Sequence, residues 1–155
     1  MGFYALKELL MQKKSVKLFL RLAISLSFLS AVADRFGMWE EEVSVWGNWQ
    51  SFVDYTAVIN PWMPTSVIPT LAAIATVAEI VFGVFLLIGY KTELFAKLSG
   101  ILLLIFALCM TFSIGIKSGF DYSVFTASAA AFGLGLIKEK YLEVDSLRPR
   151  KRLLE

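Results

Sequence analysis

The chain has no histidine and only one cysteine, Cys109, in 155 residues. The first absence removes the commonest metal ligand and the usual haem ligand. The second excludes a dithiol–disulfide cycle within the chain, which needs two thiols in bridging reach. Cys/His zinc sites go with it. Cys109 lies in an apolar run and reads as a small packing residue. Charge is scarce as well: charged residues make up 18%, against roughly 25% in soluble domains. A net charge of +2 gives no general case for nucleic-acid binding. Walker loops, GxGxxG and GxSxG patterns, internal repeats and low-complexity segments are all absent.

What is present is apolar. Hydrophobic residues make up 57% and the mean hydropathy is +0.68. By length the chain is one domain. Four apolar segments run from Ser15 to Ala33, Ser66 to Gly89, Leu98 to Ile116 and Tyr122 to Ile137. A span needs about 20 residues, so the fourth is the shortest candidate. The expected fold is all-α: an integral membrane four-helix bundle, with an N-terminal segment 1–17, a four-span domain 18–137 and a basic tail 138–155. The first segment has a competing reading as a secretory signal. Lys7, Lys13, Lys14 and Lys17 would form its basic region, and Ala31-Val32-Ala33 its cleavage site. Arg21 inside the would-be apolar region, and the odd number of spans left behind, argue against that reading.

Basic residues set the orientation. Twelve fall in the N-terminal segment, the 90–97 connection and the tail, whereas residues 34–65 and 117–121 hold only Arg35 and Lys117. Both termini are therefore expected in the cytoplasm, with the spans in the cytoplasmic (inner) membrane. The tail run Arg148 to Arg152 pins this topology near acidic head groups, each charge contributing about 1 kcal/mol. The outer loop, Asp34 to Thr65, carries all four tryptophans. Positions 46, 49, 53 and 56 share a helical spacing, which predicts a short interfacial amphipathic helix. Asn60-Pro61 and Pro64 should end it. Glu40-Glu41-Glu42 reads as a solvated acidic stretch. In the last span Ala127, Ala131 and Gly135 form a small-residue packing face.

Glu79 is the one charge between Ser66 and Gly89. A carboxylate at mid-bilayer costs roughly 2.5–3.5 kcal/mol even on a lenient insertion scale, so it must be paired, protonated or facing a polar cavity. On its helix face lie Ala72, Thr76 and Gly83, a small stripe that allows close approach. Arg21, Ser25, Phe28, Val32 and Arg35 share one face of the first span, because 14 residues return a helix to within about 40°. Arg21 is the expected partner of Glu79, directly or through one intermediary, with Arg35 second. The pair either holds two helices in register or lines a cavity for a polar head group such as a quinone.

The chain resembles the DoxX-like family of small four-span membrane proteins. The resemblance rests on RLAISLSFLSAVADRF (Arg21 to Phe36), VDYTAVINPWMP (Val53 to Pro64) and EIVFGVFLLIG (Glu79 to Gly89), and covers residues 18–137. It implies a four-helix bundle, some of whose members are associated with redox enzymes. By residue match it carries Arg21, Arg35 and Glu79 over as candidate cofactor-binding positions; catalytic residues stay unknown and no metal is expected. Relatives that act on disulfides carry cysteine pairs, and this chain does not. Two functions from different classes follow as expectations. One is a redox-associated accessory subunit that binds a quinone-like or lipid molecule and takes electrons from a protein partner, having no cofactor of its own. The other is a non-catalytic assembly, chaperone or export factor that works through helix faces and the outer loop, with a partner protein or a second copy. A transporter is a weaker third, since one acid and no histidine make a thin relay.

Overall fold

The computed structural model describes residues 2–147, and all regular structure among them is helical. No glycine or proline interrupts residues 3–35, and one uninterrupted helix, α1, spans Phe3–Arg35. It ends where Gly37 takes φ +67° and Met38 N–H turns back to the Ala33 carbonyl. The helix passes straight through Ala31-Val32-Ala33, so the segment weighed as a signal is built into the bundle. α2 (Trp49–Ile59) starts at Asn48, whose side chain accepts from Ser51 N–H at 2.9 Å. α3 (Ile68–Ile88) opens with Pro69 in its first turn and closes on Gly89. α4 (Thr92–Ile114), α5 (Ile116–Asp121) and α6 (Val124–Leu136) complete the order.

Three of these stretches, Tyr4–Arg35, Thr65–Ile88 and Thr92–Ile114, are long and apolar enough to cross a membrane. The chain is thus a helical membrane protein by its own apolar helices. The expected fourth span, Tyr122 to Ile137, becomes the 13-residue α6, only about 20 Å long. Backbone reversals at Gly115 (φ +98°) and Ser123 (φ +56°) cut α5 out of the connection ahead of it.

α1, α3, α4 and α6 pack in a ring, each against two neighbours. Leu86 and Leu134 are fully buried in its core, joined by Ile24, Phe28, Ala96 and Ala131. The two closest crossings use one device, a serine hydroxyl donating to a glycine carbonyl across the interface. Ser25 donates to Gly83 O at 2.7 Å between α1 and α3, and Ser128 to Gly100 O at 2.8 Å between α6 and α4. A Cβ on Gly83 would lie 3.1 Å from Leu29 Cγ, so a larger residue would press on the α1 side chains facing it. The contact sets the antiparallel register that decides which charges meet.

α2 buries the face expected from the spacing of 49, 53 and 56, and departs from the expectation only at Trp46. Phe52, Val53, Thr56 and Ile59 are its buried residues, and Phe52 and Val53 form a second core with Ile68 and Ala72 of α3. The helix packs on α3 and α4 beyond the end of α1. Trp46 lies ahead of the helix and Trp49 is its first residue, so the 46–49 spacing is a loop feature. The Asp34 carboxylate holds that loop, accepting from Ser44 Oγ and from the backbone N–H groups of Val45 and Trp46, the latter two at 3.0 Å.

Candidate functional site

The face predicted on α1 is buried in full: Arg21, Ser25, Phe28, Val32 and Arg35 all sit inside the bundle. So does the α3 stripe of Ala72, Thr76, Glu79 and Gly83. The two faces meet, but in a register different from the expected one. With Ser25 against Gly83, Arg21 falls beside the last turn of α3, where an Nη2 donor is 3.4 Å from Leu87 O. Glu79 is two turns further along and out of its reach.

Glu79 pairs instead with Arg35. Nη1 of Arg35 contacts Glu79 Oε2 and donates to Thr76 Oγ1 at 2.8 Å. The two residues are 2% and 3% exposed. The loop and α2 roof the guanidinium: its carbon is 3.7 Å from the ring centre of Phe52 and 5.3 Å from that of Trp46. Cation–π contact of this kind is worth more when the charge is desolvated, as it is here. Arg35 Nε is buried with no hydrogen-bond partner.

Arg21 belongs to a second cluster, near the middle of α1. The tail folds back here and inserts Glu143, buried, between two cations. Lys17 Nζ lies 2.7 Å and Arg21 Nη1 3.6 Å from Glu143 Oε1. Backbone carbonyls of the tail complete the shell: Lys17 donates to Glu139 O at 2.8 Å, and Arg21 to Tyr141 O at 3.1 Å and Leu142 O at 2.6 Å. Gly89 makes room for the tail. Its φ of +71° caps α3, and a Cβ there would fall 2.7 Å from Glu143 Cα.

The three candidate positions therefore divide into two sites. Arg35 and Glu79 come together; Arg21 stands about 21 Å from Arg35 along the axis of α1. Sequence reasoning missed Glu143, Lys17, Phe52 and Trp46 as parts of these clusters. Lys17 and Arg21 are one helical turn apart on the same face, and a buried pair of cations demands an acid. Carboxylates just beyond the fourth apolar segment, in 138–147, were the available signal. The run Arg148 to Arg152 lies outside the described residues.

Chemically, the Arg35–Glu79 pair is self-neutralising and the second cluster carries one cation in excess. Two clefts of about 440 Å³ flank the bundle. One is basic and lies at the tail end, and one is an apolar hollow along α3 lined by Ala73, Ile74, Val77, Ala78, Val81 and Phe82. Neither is lined by Arg35 or Glu79. The chain matches no family model, and no curated protein or solved structure is similar to it.

Proposed function

We propose that the chain is a DoxX-like protein of the cytoplasmic membrane that serves as a non-catalytic accessory subunit. It would hold a partner protein, or a second copy of itself, through its outer loop. Both termini lie in the cytoplasm in this reading, α2 sits at the outer interface, and α6 makes a short fourth crossing with local thinning of the bilayer. The observation that carries it is the use made of Glu79. The single acid of the second apolar segment is committed to Arg35, and that pair lies directly beneath the aromatic residues of the outer loop. The buried charge fixes a presenting surface rather than serving as a free base. The loop itself carries exposed Phe36, Met38, Trp39, Val43, Val45 and Trp62. Native mass spectrometry of the gently solubilised protein tests this. A stoichiometric protein partner or dimer, lost on Trp39→Ala with Met38→Ser, is the expected result. A bare monomer in every detergent would overturn it.

A second reading has one specific observation in its favour. Arg35 Nε is buried and unpartnered, and its guanidinium lies against the rings of Phe52 and Trp46. It could donate to a quinone oxygen while the rings stack on the quinone, which would make this a redox-associated head-group site. Co-purified quinone, lost on Arg35→Gln, would favour this reading over the first.

A further inference from the structure

The cleft at the tail end has features that the outer loop does not use. Its walls carry Lys17, Lys91, Thr92, Lys97, Lys138 and Lys140, where α1, the α3–α4 turn and the tail converge. Three carboxylates share it: Glu93, Glu143 and Asp145. Two of them are taken. Glu93 lies 2.7 Å from both Lys97 and Lys138, and Glu143 is 2.7 Å from Lys17. Lys91 and Lys140 have no carboxylate partner among the described residues: Lys91 lies over the Tyr90 ring and Lys140 donates to Asp145 O at 3.1 Å. The lining thus has two more lysines than acids.

Into this basic cleft opens the first turn of the 23-residue α4. The position that usually holds a capping Ser, Thr, Asp or Asn is Lys91, in the left-handed region at φ +44°, and no side chain caps the helix. The leading N–H groups therefore lack side-chain acceptors and carry the positive end of the helix dipole. Independently, Thr92 is 2% exposed, lines the cleft, and its hydroxyl has no hydrogen-bond partner. A buried unsatisfied hydroxyl beside an uncapped helix start is what an absent acceptor leaves behind.

We propose that this cleft binds a phosphate group, seated on the first turn of α4 and held by the ammonium of Lys91. The buried, unpartnered Thr92 hydroxyl lines the same cleft as a further donor, and Lys140 stands on its wall. A phosphate matches the excess charge and fills the acceptor role that a cap residue would otherwise take. Two sources offer this chemistry: the head group of an acidic phospholipid, and free inorganic phosphate. The inference is independent of the outer-loop reading, since it rests on the other end of the molecule.

The test is thermal unfolding of the full chain in uncharged detergent, with titration of water-soluble short-chain phosphatidylglycerol or of inorganic phosphate. Ionic strength is held constant with sodium chloride. Saturable stabilisation is expected, with apparent affinity about tenfold weaker in Lys91→Gln and weakened again in Thr92→Val. The exposed-site variant Lys7→Gln should bind as the wild type. Each variant's own melting point without ligand separates loss of binding from loss of folding. Stabilisation by the lipid alone identifies a membrane source, and stabilisation by both a phosphate site in the strict sense. No saturable shift with either probe overturns the proposal. So does binding that ignores Lys91→Gln and Thr92→Val but disappears in Arg148→Ala with Arg150→Ala.

Discussion

The C-terminal end and the middle of α1 solve the same problem in different ways. Near its C-terminal end one arginine meets one glutamate from α3, under a roof of Phe52 and Trp46, and the charge closes on itself. Near its middle two cations share Glu143, which arrives on a folded-back tail, and tail carbonyls supply the other acceptors. The first cluster is balanced and sits between packed helices. The second is over-basic, is assembled from a non-helical segment, and borders an open cleft. A balanced pair suits a fixed pin, whereas an over-basic rim suits an anion.

The sharpest way to break this contrast is at the balanced pair. Glu79→Leu leaves Arg35 buried without a counter-charge and should cost about 3–5 kcal/mol. Adding Arg35→Met should restore most of it, read as melting temperature in detergent. Equal melting points for the single and double variants would show that the pair does not act as a unit. Next in size is Gly89→Ala, which forces an L side chain into the left-handed region and drives a Cβ into Glu143. A loss of about 2–3 kcal/mol is expected, with faster proteolysis of residues 138–147. An unchanged proteolysis rate would mean that the tail docks without needing this close approach.

Glu143→Gln should cost less than Glu79→Leu, about 1–2 kcal/mol, because Lys17 and Arg21 keep their carbonyl acceptors. A loss equal to that of Glu79→Leu would erase the proposed difference between the two clusters. The smallest effect concerns Glu139 at the rim. Its own backbone N–H, and then Lys13 at 3.1 Å, hold its carboxyl below the usual glutamate range. Since the folded value is the depressed one, the stabilisation is present above the ordinary glutamate range. It is lost as pH falls through the lowered value. Wild type should exceed Lys13→Ala slightly in melting temperature at neutral pH, and the two should converge in acid. A gap that widens on acidification would reverse the assignment.

Much of this was legible before any coordinates. The buried faces of α1 and α3 follow from helical periodicity, which registers residues 21, 25, 28, 32 and 35, and 72, 76, 79 and 83, without reference to partners. The loop helix was legible from 49, 53 and 56 and misread only at Trp46, because Asp34 and Asn48 place the helix start at Trp49. The fourth segment was legible as an apolar helix, but hydropathy ignores the reversals at Gly115 and Ser123 that leave it only 13 residues long. Pairing was the least legible feature. Depth along a span does not fix the register between two helices, and a contact such as Ser25 with Gly83 does.

By itself the sequence determined the helical, membrane-embedded character, the buried polar faces and the chemistry that a chain without histidine or a cysteine pair cannot perform. These depend on composition and on local periodicity, which act within one helix. Only the tertiary structure decided that Glu79 belongs to Arg35, that Arg21 belongs to the tail, and that Lys91 and Thr92 border a cleft. Those outcomes turn on one close helix crossing and one glycine that admits the tail, contacts between residues far apart in the chain. A different register at that crossing would change the partners without changing any residue's preference for helix or for lipid.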